Sequence, residues 1–174
     1  MYEYAKSHPF GLDILILLET GISRSELLGL LFENYDSEES VIHIVQGLVM
    51  QKNTKTDKHQ LISDGLKNQY RERIIPISEY LSQRIKDAHA QTASSLIVHS
   101  TTGEYLDPMN WYKRRYKPFM MDMHQYYATR EARNEGKNID IPMLNPHELR
   151  HPYVKHTTKN IFLQKQKSQA INRF

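Results

Sequence analysis

At 174 residues with a net charge of +3 and a pI near 9.0, the chain is long enough for one domain with a sizeable core and leans weakly towards polyanionic partners. The absence of cysteine excludes disulfides and thiolate metal sites and suits a reducing cytoplasm. No signal peptide is visible, and the apolar run Leu12 to Leu18 ends at Glu19, too short to cross a bilayer, so no membrane partner is expected.

Met1 to Gly21 reads as one helix with an apolar face of Phe10, Ile14, Leu15, Leu17 and Leu18, stopped by Gly21 as a C-terminal cap. Ser23-Arg24-Ser25-Glu26 then spells a capping box, with Leu27, Leu28, Leu30 and Leu31 on the buried face of the helix it starts. Arg24 stands at that helix N-terminus, where free N–H groups and the dipole favour an anion. From Val41 the periodicity changes. Val41 to Val45, Leu48 to Met50 and Arg73 to Ile77 read as strands of a small antiparallel sheet, the last ending at Pro76. A long polar loop, Lys52 to Asp64, lies between them and carries Lys55, Lys58 and His59.

Glu79 to Ala93 reads as a helix turning Tyr80, Leu81 and Ile85 to the core. Leu96 to His99 reads as a short strand and Thr101 to Glu104 as a turn. Asp107-Pro108 opens a further helix by the cap-plus-proline rule, and Pro118 is expected to kink or end it. Its body, Trp111 to Lys117, interleaves aromatic and basic residues. Trp111, Tyr112 and Phe119 suit the core, whereas Lys113, Arg114 and Lys117 can track a phosphate backbone. Ala128 to Asn138 is charged and looks like an insertion.

Leu144 to His151, Leu-Asn-Pro-His-Glu-Leu-Arg-His, carries the densest chemistry. Asn145 followed by Pro146 is a helix start, and His147 and Arg150, three apart, then share a side. Two chemistries fit. His147-Glu148-x-x-His151 satisfies H-E-x-x-H, the pattern of a zinc hydrolase, although Pro152 would break the helix that pattern needs. Alternatively, an imidazole and a guanidinium on one face grip a phosphodiester.

The segment Asn145 to His151 resembles the H-x-L-R-H box of the tyrosine recombinase (phage integrase) family. Thr20-Gly21-Ile22-Ser23-Arg24-Ser25-Glu26-Leu27 resembles that family's first arginine box, T-G-x-R-x-x-E-L, with Arg24 one place late and Glu26 and Leu27 in register. Leu66 to Pro76 is similar to the stretch in which the family carries its catalytic lysine before an R-x-I-P strand. Lys67 is the matching residue, and Lys55, in Thr54-Lys55-Thr56, is its competitor. The resemblance covers roughly residues 1–153; residues 154–174 are a basic tail without acidic residues. No Gly occurs after Gly136 and no Tyr after Tyr153. His156-Thr157-Thr158 followed by Phe162 is a partial likeness of the family's final box, with Phe162 in the nucleophile's place. That box reads as shortened or altered.

The resemblance implies a mainly α fold with a small antiparallel sheet (α+β). It implies breaking and rejoining of DNA through a phosphotyrosine, at a double-stranded attachment site, by a homo-oligomer on DNA, with neither metal nor other cofactor. Arg24, Lys67, His147 and Arg150 are the implied catalytic set, and Lys55, Lys113, Arg114, Lys117 and His151 the DNA-binding set. A non-catalytic DNA-binding remnant and the zinc hydrolase remain the alternatives.

Overall fold

The computed structural model describes residues 1–52, 59–65, 72–132 and 142–149. Among these, the fold is mainly helical with small antiparallel sheets, as the sequence implies. The expected first helix is two: α1 (Tyr2–Ala5) and α2 (Gly11–Thr20). Between them the chain doubles back so tightly that a Cβ on Gly11 would lie 1.7 Å from the Ala5 carbonyl oxygen, so only glycine fits there. Helix α2 has no exposed face to speak of. Ile14, Leu15, Ile16 and Leu17 are all buried, and so is Asp13. Gly21 ends α2 at φ 62°, the left-handed cap.

Helix α3 (Arg24–Leu28) is shorter than expected and leads through a 3₁₀ turn, Phe32–Asn34, into β1 (Tyr35–Asp36). Strands β2 (Val41–Ile44) and β5 (Arg73–Pro76) join β1 in a three-stranded antiparallel sheet of order β1-β2-β5. Ile42, Ile44 and Ile75 face the core. A second sheet corrects the expected Lys52–Asp64 loop: β3 (Gln46–Lys52) pairs antiparallel with β4 (His59–Gly65), from Gln46 opposite Gly65 to Lys52 opposite His59. Backbone pairing rather than a fully buried face holds this hairpin, since Val49 and Met50 are exposed, and an exposed strand carries little hydrophobic alternation for sequence to show. Its base lies on α3: a Cβ on Gly47 would sit 3.6 Å from Ser25, and the Gln46 side-chain amide donates to the Gly29 carbonyl at 2.8 Å.

Helix α4 (Glu79–Ala90) is capped by Ser78 and buries Leu81 and Ile85. Tyr80 is not in the core; it is 37% exposed and donates to the Lys6 carbonyl. Leu96 to His99 forms no continuous strand, because Leu96 bridges Leu31 while His99 bridges Tyr105, and two short partners cannot extend a ladder. Asp107 caps α5 (Pro108–Trp111), accepting from the Met109 and Asn110 N–H groups at 2.9 and 2.8 Å. The chain then passes Pro118 without stopping: a π-helical turn, Tyr112–Tyr116, joins α5 to α6 (Lys117–Ala132). Proline crowds the carbonyl four residues back, and the wider π turn just before it relieves that crowding. No helix among the described residues is long and apolar enough to cross a membrane.

One buried polar cluster ties the first helices to the last. The Asp13 carboxylate accepts from Trp111 Nε1 at 2.8 Å and from Arg115 Nη1 at 3.2 Å, and Arg115 also donates to the His99 carbonyl. Burial pushes the Asp13 carboxyl up from its ordinary value, against the downward pull of the Arg115 charge and the two donated hydrogen bonds. Asp13→Ala is expected to cost about 3 kcal/mol, because it strands an indole N–H and a guanidinium without their acceptor. Asp13→Asn, which keeps an acceptor oxygen, is expected to cost less. Urea midpoints of the two variants check the order.

Candidate functional site

The site is built where the capped start of α3 meets the Asn145 turn. Ser23 accepts from the Glu26 N–H at 3.2 Å, and the Glu26 carboxylate accepts from the Ser23 N–H at 2.6 Å, the reciprocal box the sequence spells. Arg24 is the first residue past the cap, so its side chain leaves the helix end. It is exposed, with no hydrogen bond or ion pair among the described residues. Glu26, largely buried, is matched by Arg73 from β5, whose two guanidinium nitrogens lie 2.9 and 3.1 Å from its two oxygens. Burial alone would raise the Glu26 carboxyl; the hydrogen bonds from Arg73 and Ser23 outweigh it and hold the group below its ordinary range. The acid beside Arg24 is thereby neutralised by another arginine, and the charge of Arg24 remains available.

The facing wall is the turn at residues 146–149, which repeats the same device. The Asn145 side-chain oxygen accepts from the His147 and Glu148 N–H groups at 3.0 and 3.1 Å, and the Glu148 carboxylate accepts from the Asn145 N–H at 2.6 Å. The expected helix start is therefore present as a capped turn. Glu148, the base of the zinc reading, is engaged in that cap. No cluster of three or more metal-binding side chains occurs among the described residues, which do not include His151. Leu149 buries itself in the core behind the turn. Tyr116, also buried, donates from its hydroxyl to the Leu144 carbonyl at 2.8 Å and ties the turn to the π-helical segment. Burial pushes the Tyr116 phenol well above its ordinary value, so it stays protonated and a donor.

Between these walls lies a cavity of about 530 Å³, lined by Ser23, Arg24, Ser25, Met109, Tyr112, Asn145, Pro146 and His147. Two implied catalytic residues from opposite ends of the chain, Arg24 and His147, thus share one cavity. Lys55, Lys67, Arg150 and His151 lie outside the described residues, as do Tyr153, His156 and Phe162. Lys113, Arg114 and Lys117 are exposed on and just after the π turn. Arg115, the basic residue of this run left out of the DNA-tracking set, turns inward to Asp13. Sequence reasoning missed Tyr112 and Met109 as lining residues. Their three-residue separation on one helical face, just after the Asp107 cap, was the signal that could have paired them.

No family model matches the sequence, and no curated protein does. Solved structures do. The Tn1549 transposon integrase, in complex with circular intermediate DNA, is similar over 87% of this chain and 49% of its own length, with a TM-score of 0.65 at 19% identity. The XerA recombinase is similar over 91% of this chain and 47% of its own length, with a TM-score of 0.58 at 16% identity. The fold is that of a tyrosine-recombinase catalytic domain. The chain spans about half the length of these recombinases. In this recombinase fold, Arg24 and His147 stand on the two walls just described.

The Glu26–Arg73 pair has an acid-side signature. A carboxyl held lower in the folded chain than its ordinary 4.5 contributes stability above that pH. The contribution is lost as pH falls through the depressed folded value. Urea midpoints taken down an acid series are expected to decline more steeply for the parent chain than for Glu26→Gln. For the tether, Tyr116→Phe is expected to cost about 1 kcal/mol and to speed amide hydrogen exchange in residues 147–149, read by NMR.

Proposed function

We propose that this chain is the DNA-gripping part of a tyrosine-recombinase catalytic domain, and that the cavity between α3 and the Asn145 turn receives a DNA backbone phosphate. The observation that carries this reading is the convergence of Arg24 and His147 on that cavity. A guanidinium with no ion pair among the described residues offers a two-pronged clamp for phosphate oxygens, and an imidazole on the facing wall donates a hydrogen bond or carries a proton. In such enzymes a tyrosine hydroxyl attacks the scissile phosphate and forms a 3′-phosphotyrosine, conserving the bond for rejoining. Charge grows on the phosphoryl oxygens in the transition state, so preplaced cationic donors are what the reaction needs.

Arg24 and Arg150 are proposed as those donors, Lys67 as the acid for the departing 5′ oxygen, and His147 as the proton carrier. Lys55 is the alternative to Lys67 in that role. Lys113, Arg114 and Lys117 are proposed to follow the flanking DNA backbone, with Lys55 and His151 adding further phosphate contacts. No hydroxyl nucleophile is assigned, so this chain by itself is proposed to bind DNA without cutting it.

The test is binding of a short fluorescent DNA duplex across a salt series. Arg24→Ala is expected to lower affinity about tenfold and to reduce the slope of log affinity against log salt by about one. Affinity and slope both unchanged would overturn the phosphate assignment.

A further inference from the structure

The cavity is not uniformly charged. Besides Arg24 its lining includes the apolar Met109, Tyr112 and Pro146. Met109 is 54% exposed, a flexible thioether left open in a cavity that also holds a cation. Tyr112 packs its ring on Tyr116, centroids 5.8 Å apart and planes within 21°, which holds it in place. Its hydroxyl has no hydrogen bond among the described residues, and the side chain is half-buried. A phosphate alone would occupy the Arg24 end and leave this wall in water. The full volume of about 530 Å³ falls within the roughly 300–1,000 Å³ of pockets that enclose whole small molecules.

Resting on the phosphate reading above, we infer that the site takes a phosphate together with the nucleoside it carries, Arg24 holding the first and the Met109–Tyr112–Pro146 wall the second. Charge complementarity fixes the orientation: the anion goes to the guanidinium, so the uncharged sugar and base fall on the apolar side. An aromatic ring there accepts any base or the C–H face of a deoxyribose, which makes the wall tolerant of sequence. The free Tyr112 hydroxyl supplies one hydrogen bond to a sugar or phosphate oxygen.

The experiment uses the full chain with methionine methyl groups labelled with ¹³C, titrated separately with thymidine 3′,5′-bisphosphate and with inorganic phosphate. Met109→Leu assigns the Met109 signal. The signal is expected to move with the bisphosphate and to stay put with phosphate at the same concentration. Tyr112→Leu is expected to weaken bisphosphate binding about tenfold, and Tyr112→Phe, which keeps the ring, to weaken it less. A bisphosphate that displaces fluorescent DNA from the parent chain but not from Arg24→Ala, while the Met109 signal stays still, would overturn the nucleoside wall and leave the phosphate reading standing. Indifference of both DNA and bisphosphate binding to Arg24→Ala would instead remove the phosphate reading, and the wall with it. Equal shifts with inorganic phosphate would also overturn the inference.

Discussion

The buried carboxylate of Asp13 is the point from which the arrangement of the domain follows. A lone charge in an apolar helix is costly, so it is tolerated only with its partners in place. Those partners, Trp111 and Arg115, belong to the segment that carries Met109 and Tyr112. Helix α2, which bears Asp13, runs directly into the cap that presents Arg24. One hydrogen-bonded cluster therefore fixes the segment bearing Met109 and Tyr112 relative to α2 and the Arg24 cap that follows it. The Tyr116 hydroxyl on the Leu144 carbonyl ties the Asn145 turn to the same segment. Directional polar bonds set these relations more narrowly than apolar packing alone, which tolerates sliding.

The charge pattern around the cavity obeys a similar economy. Glu26 is needed at the third position of α3 to close the cap, yet it brings a negative charge close to Arg24. Arg73 arrives from β5 and cancels it with paired hydrogen bonds. At the Asn145 cap Glu148 has no such neutralising partner among the described residues, but that carboxylate is exposed, where water screens it. The result is a cationic Arg24 beside an acid whose charge is already answered, which suits an anion that must bind and leave.

Much of this was legible in the residues. The Ser23 capping box and the Asn145-Pro146 and Asp107-Pro108 starts were readable because a cap is a local device, made within four residues. Gly21 was readable for the same reason, whereas the return bond from Glu148 to the Asn145 N–H was not read. Strands β2 and β5 were legible in the β-branched runs at Val41 and Arg73, but β1 and β4 were not, and Leu48–Met50, read into the same sheet, pairs with β4 in the second one. His59-Gln60-Leu61-Ile62 has neither turn residues nor a clean alternation, and its strand exists through pairing with β3. The break between α1 and α2 was legible in Lys6-Ser7-His8-Pro9, a polar stretch with a helix-breaking proline that the reading of one helix passed over; the close backbone approach at Gly11 is tertiary and was not. The inward turn of Arg115 was likewise invisible in a basic run. Its one advance signal was Asp13 itself, an acid standing in a run of leucines and isoleucines that had to find a partner.

The π-helical turn at Tyr112–Tyr116 carries a geometric consequence for the chain beyond it. Such a turn holds one residue more than the helix around it, and each residue advances an α-helix by about 100° of rotation. The side chains of α6 therefore face the core in a phase that depends on that supernumerary residue. Shortening the turn by one would swing Phe119, Met120 and Met123, all buried now, out towards solvent. The length of this segment is thus far less free to drift than its surface-exposed lysines and arginines suggest.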